Sequence, residues 1–133
     1  MPTIFTKIIK GEIEAHILLE SDQFLAFLDI NPLAVGHTLV IPKIEVEYIF
    51  DLDDSILAGL HIFSKKVAKG LREAIPCKRI GVSVIGLEVP HTHIHLIPLN
   101  SMNDINFTRA KLSLPAESFI ETAEKIRKAL DRP

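Results

Sequence analysis

The sequence predicts an α+β fold built on an antiparallel sheet, and three observations predict it. Its β-rich segments are short and joined by turn residues, which is the pattern of hairpins. Two longer stretches, from about Asp53 to Ala74 and from Pro115 onward, repeat apolar residues every three or four positions, as helices with one buried face do. The 133 residues are 47% hydrophobic and 24% charged, which supplies a real core over the length of about one domain, 1–133. Hairpins with helices inserted between them point to a sheet covered on one face.

Composition excludes several functional classes. The 17 acidic residues outweigh the 15 basic ones, for a formal charge of −2, so the basic footprint of a nucleic-acid binder is missing. The single cysteine, Cys77, allows neither an internal disulfide nor a cysteine zinc cage and fits a reducing compartment. The opening MPTIFTKIIKGE lacks the apolar run of a secretory signal, and no stretch approaches the roughly 20 apolar residues of a membrane helix. A cytoplasmic protein is expected, with neither nucleic acid nor membrane as partner.

Thr3 or Thr6 caps a short helix through Ile4–Lys10, which Gly11 ends. His16–Ser21 and Phe24–Ile30 form a hairpin around Asp22-Gln23. Asn31-Pro32 and Val35-Gly36 bracket a turn, and His37–Ile41 adds a third strand closed by Pro42. In the long helix, Ile56, Leu60, Phe63, Val67 and Leu71 share one face, with Lys65, Lys66, Lys69, Arg72 and Glu73 opposite. Asp51, Asp53 and Asp54 suit its positive N-terminal end, and Pro76 stops it. Strands over Arg79–Ile85 and Thr92–Leu99 follow. In the polar loop after them, Arg109 and Lys111 read as solvated surface, the alternative being that one of them reaches a phosphate. Pro115 opens a last helix whose inward stripe is Phe119, Ile120, Ala123, Ile126 and Leu130.

Three of the six histidines fall within five residues, in His91-Thr92-His93-Ile94-His95. On a strand these imidazoles project from one face, about 6.6 Å apart, while Thr92, Ile94 and Leu96 project from the other. Two neighbouring imidazoles can converge on a zinc ion, whose nitrogen ligands lie at about 2.0–2.1 Å. A third stands nearly parallel to them, so a metal would need a further ligand such as His37 or Glu88. The other chemistry open to the row is nucleophilic: a neutral imidazole, its tautomer held by a neighbour, can attack phosphorus and carry a nucleotidyl group.

His91-Thr92-His93-Ile94-His95-Leu96-Ile97 resembles the motif of the histidine-triad (HIT) superfamily, His-x-His-x-His followed by two apolar residues. Ile4–Ile9, Gly11–Ile13, Ala26–Pro32 and Gly36–Lys43 resemble the N-terminal half of that family in the same order, most closely its Hint-like branch of nucleoside phosphoramidases and nucleotidyl hydrolases. The resemblance covers about residues 3–99. It implies a HIT-like fold, a five-stranded antiparallel sheet with a long central and a C-terminal helix.

It also implies cleavage of a purine mononucleotide substrate at its α-phosphate, with no cofactor or metal. His93 matches the attacking residue, His91 and His95 its flanking partners that contact phosphate, and His37 a supporting histidine on the next strand. Asp29 and Ile30 fall where the family grips the ribose. Phe5, Ile8, Ile13 and Phe27 match the apolar cleft around the base. A homodimer formed through the long helix and the strand after it is implied as well.

The sequence departs from the family before the triad, where relatives carry an Asn and then Gly-Gln. Here Leu87 replaces the Gln and no Asn lies between Arg79 and His95; Ser83 and Glu88 are the polar residues left on that side of the nucleotide. A neutral donor lost from a transition state costs about 10²–10³ in rate. Dinucleoside polyphosphate hydrolysis, and a nucleotide- or partner-binding domain with little turnover, are the alternative functions.

Overall fold

The structure, a computed structural model, describes residues 2–131. Five strands form one antiparallel sheet: β1 (Ile17–Glu20), β2 (Phe24–Leu28), β3 (Thr38–Pro42), β4 (Arg79–Ser83) and β5 (Ile94–Leu99), in the order β1-β2-β3-β5-β4. The β1–β2 hairpin turns at Asp22-Gln23, with the Ser21 amide donating to the Phe24 carbonyl and the Phe24 amide to the Ser21 hydroxyl. Gly36, at φ 91°, makes the tight approach into β3. A Cβ there would meet Ile75 at 3.0 Å and Leu71 at 3.2 Å, so both backbone and space require glycine.

Three helices complete the fold: α1 (Ile4–Ile9), α2 (Asp54–Ala74) and α3 (Ala116–Leu130). Thr3 caps α1 by accepting the Thr6 amide, and Asp53 caps α2 by accepting the Ile56 amide. Leu60, Val67 and Leu71 of α2 are fully buried, with Ile56 and Phe63 packed partly against them. In α3 the inward residues include Ala123 and Ile126, but Ile120 is half exposed and Thr122 and Ala129 are buried instead. The buried stripe is thus rotated slightly from the one that the larger apolar residues alone define.

The sheet is covered on both faces, not on one. Phe24, Ala26, Leu28, Val40, Ile94 and Leu96 point toward α2 and α3. The alternate residues Leu25, Phe27, Leu39 and Ile41 pack with Phe5 of α1. Strand alternation divides β2 and β3 between these two cores, which is why every residue in both strands is buried. Six residues of α1 are too short for helical periodicity to announce a second layer, so the sequence pattern misses it. The α1 face of the sheet holds the site.

Candidate functional site

β5 begins at Ile94, so His91 and His93 precede its ladder and only His95 lies within it. The Thr92–Leu99 strand expected from sequence is therefore too long by two residues. Val40 pairs with Ile94 and Leu39 with His95, and the ladder stops there. The amide and hydroxyl of Thr92 turn instead to the Val46 carbonyl, at 2.7 Å each. This departure brings the rings of His93 and His95 to 4.9 Å between centroids, closer than regular strand spacing.

Hydrogen-bond partners fix the tautomers of the site, because a carbonyl can only accept and an amide N–H can only donate. His93 donates through Nδ1 to the His91 carbonyl at 2.7 Å. In the neutral ring its Nε2 then carries the lone pair, and His93 lines the cleft described below. His91 donates through Nε2 to the Pro42 carbonyl at 2.8 Å, so its Nδ1 accepts from the Thr3 hydroxyl at 3.2 Å. Thr3 thus joins the α1 cap to the histidine segment, and Phe5, two residues on, packs edge-on against both His91 and His93.

His37 accepts at Nδ1 from the Leu33 amide at 3.0 Å. Its Nε2 therefore bears the proton and donates to His95 Nδ1 at 2.9 Å. His95 must carry its own proton on Nε2, leaving an N–H donor on a ring that lines the same cleft. Burial, with smaller repulsion from neighbouring imidazoles and Lys111, pushes His37 down to about 3 and His95 to about 4. Burial also lowers His91, against the opposing pull of the Pro42 carbonyl. These three rings are neutral at neutral pH, so the 3.6 Å approach of His37 Nε2 to Asp29 Oδ2 is no ion pair.

Asp29, His37 and His95 bring one donor atom each within 4.8 Å of one another. The set does not suit a cation. The Leu33 amide occupies Nδ1 of His37, so a metal on Nε2 would require an imidazolate or a broken backbone hydrogen bond. One proton on His37 Nε2 already satisfies the group.

The cleft over these rings has a volume of about 390 Å³, within the range of small-molecule sites. Phe5, Ile8, Ile13, Phe27 and Leu39 form its apolar wall, and Asp29, Ile30, Glu88, His93 and His95 stand on its rim or floor. Nine of the twelve residues expected from sequence therefore meet in one cleft. His37 supports His95 from behind. His91 is fully buried and does not line the cleft, because both its ring nitrogens are bonded to protein. Its carbonyl, not its ring, meets His93, so the expected phosphate contact through the ring does not follow from this arrangement. Ser83, at the end of β4 opposite His95, lies outside the cleft as well.

Asp29 uses one carboxylate oxygen for the Asn31 amide at 2.8 Å, closing the turn, while Oδ2 points toward His37. It is both a turn residue and part of the cleft. Burial raises its pKa, partly offset by the Asn31 hydrogen bond and by Lys111. Leu87, where the family Gln was sought, is 88% exposed at the cleft mouth. Phe107 and Lys111 line the cleft from the loop after β5; sequence reasoning gave Phe107 no place in it and read Lys111 as surface before a phosphate contact. Nothing local marks them, since only the folding of that loop across the β2–β3 turn brings them there.

The fold and cleft define an α+β protein with a histidine cluster of fixed tautomers at the floor of an apolar-walled cleft. A family model for the HIT domain matches residues 10–102, and the chain belongs to the HIT family. It is 39% identical over 131 residues to an uncharacterized HIT-like protein of Borreliella burgdorferi, covering 92% of this chain and 94% of that one. It is 38% identical over 96 residues to the adenosine 5'-monophosphoramidase HNT1 of Saccharomyces cerevisiae, covering 71% of this chain and 61% of the yeast protein. Among solved structures, a HIT-like protein involved in cell-cycle regulation from Bartonella henselae superposes with a TM-score of 0.83 at 35% identity, covering 96% of this chain and 95% of that one.

Proposed function

We propose that the protein cleaves purine nucleotide derivatives at the α-phosphate, as an AMP-phosphoramidase-like hydrolase working through a nucleotidyl-histidine on His93. The observation that carries this reading is the His93 Nδ1–H to His91 carbonyl bond, which leaves the Nε2 lone pair of the neutral ring for attack. In the first step Nε2 bonds to the α-phosphorus as the bond to the leaving nitrogen breaks. That nitrogen takes a proton from solvent and departs as the amine; the proton is returned to solvent when water attacks in the second step. In the second, water attacks phosphorus, releases the nucleoside monophosphate and returns the imidazole. His95 Nε2–H donates to the phosphate oxygens as charge builds on them. The free edge of the Asp29 carboxylate accepts from ribose hydroxyls, and the base packs between Phe5, Ile8, Ile13 and Phe27.

Incubation with adenosine 5'-phosphoramidate should release AMP, and chelation should leave the rate unchanged. A rate abolished by chelator and restored by metal would overturn the metal-free reaction. Nucleotide binding without turnover would favour the second reading, a binding domain, which the exposed apolar Leu87 in place of an amide supports. Release of AMP from diadenosine polyphosphates faster than from the phosphoramidate would favour polyphosphate hydrolysis.

The protein is further proposed to form a homodimer through β4 and α2. β4 is one of the two edge strands of the sheet, β1 being the other, and Val82, Ile85 and Leu87 along and beyond β4 are exposed, as are Phe50 and, on α2, Ile62. An unpaired edge beside apolar side chains is a surface that a second sheet edge can cover. Light scattering is expected to give twice the 14.8 kDa chain mass, and Val82→Lys to return the monomer. A wild-type monomer at micromolar concentration would refute the dimer.

A further inference from the structure

We infer that Lys111 binds the transferred phosphate of the nucleotide, held in place by a loop that is pinned on both sides of it. This rests on the nucleotide-cleaving function proposed above and names the residue that supplies its missing positive charge. The Leu112 amide donates to the Pro32 carbonyl at 2.8 Å, and the Arg109 guanidinium donates to the Leu33 carbonyl. Both anchors belong to the turn between β2 and β3, the turn that also carries Asp29 and the amide bonded to His37. Lys111 is thus fixed between two attachments to the site's own frame and does not simply trail in solvent.

Phe107 sets its direction. The ring lies edge-on to His95 at 4.8 Å between centroids, and the Lys111 ammonium sits 5.1 Å from the same ring's centroid. A cation held over an aromatic face keeps part of its attraction for an anion while its approach is restricted. The ammonium is therefore tied to the ring that packs on His95, and all three side chains line the one cleft.

Charge balance requires such a group. Glu14, Asp29 and Glu88 line the cleft, and Lys111 is the one Lys or Arg among the described residues that does so. A phosphate entering a cleft with three carboxylates and no other lysine or arginine would meet net repulsion. The side chain of Leu87, at the cleft mouth, offers a phosphate no donor. The Lys111 ammonium reaches the field of the site already: it lowers the pKa of His37, His95 and Asp29. Arg109, the other basic residue of the loop, is spent on the Leu33 carbonyl.

The test is calorimetric titration of AMP and of adenosine into wild type, Lys111→Gln and Lys111→Arg. Wild type should bind AMP more tightly than adenosine. Lys111→Gln should lose about 10-fold in AMP affinity, the lower end for a charge-assisted hydrogen bond at an exposed site, with adenosine affinity unchanged. Lys111→Arg should recover most of the loss. Unchanged AMP affinity in Lys111→Gln, or an equal loss for AMP and adenosine, would overturn the assignment, the second because it would mean a purely structural loop. Wild type that binds adenosine and AMP alike would also overturn it while leaving the nucleoside cleft standing. Wild type that binds neither would remove the proposed function itself.

Discussion

Replacing His93 by Ala should reduce release of AMP from adenosine 5'-phosphoramidate by at least about 10³-fold, since removal of a covalent nucleophile ranks among the costliest single changes in an active site. The variant should fold. His93 is buried at the cleft floor, and the one hydrogen bond lost with its ring goes to the His91 carbonyl. Binding of AMP should survive within a few fold, because the contacts proposed for base and ribose lie at Asp29, Phe5, Ile8, Ile13 and Phe27. The separation of turnover from binding is the signature to look for. Undiminished turnover in His93→Ala would sink the covalent mechanism, and a collapse of both turnover and thermal stability would assign the ring a structural role.

Acid lability is the second large effect. The unfolded chain protonates its histidines near pH 6.5, whereas burial in the fold holds His37 down to about 3 and His95 to about 4. Between these limits the unfolded state binds more protons, so stability falls as pH falls. The contribution is complete above pH 6.5 and is lost as the solution approaches pH 4. Each imidazole contributes a slope of up to about 1.4 kcal/mol per pH unit, roughly 2.7 for the pair. Asp29 opposes this, because its raised pKa makes the folded state take up a proton first. Urea unfolding at pH 7.5, 6.0 and 5.0 should show the midpoint dropping, with the steepest loss below pH 6. A midpoint constant across that range would mean that the pair is not held neutral by the fold.

The helices were legible in the sequence because burial of one face imposes a period that five or six apolar residues can register. The strands were legible as hairpins for the same reason, and the histidine segment because its alternation is rare. What escaped was set by partners far along the chain. Period two cannot reveal that the ladder ends at Ile94, since that depends on Thr92 finding the Val46 carbonyl. Nor can it separate His93, which faces the cleft, from His91, which is satisfied by Thr3 and Pro42. Phe107 and Lys111 reach the site only because the loop crosses the turn at Pro32-Leu33. The cleft residues outside the histidine segment came from the family resemblance, and the strand pattern alone placed neither Phe107 nor the turned-away ring of His91.

The anchoring of the rings on main-chain atoms has a consequence for mutational tolerance. The proton positions on His93, His91 and His37 are dictated by the carbonyl of residue 91, the carbonyl of Pro42 and the amide of Leu33. No change of side chain at positions 33 or 42 deletes those partners, short of a proline at 33 that would remove the amide. A library randomised at these two positions should therefore retain its pattern of ring protons wherever the backbone keeps its course. Losses should concentrate in the imidazoles themselves and in Thr3, where the partner is a side-chain hydroxyl. Insertions that shift the backbone near Pro32 or Pro42 should be far more damaging than substitutions there.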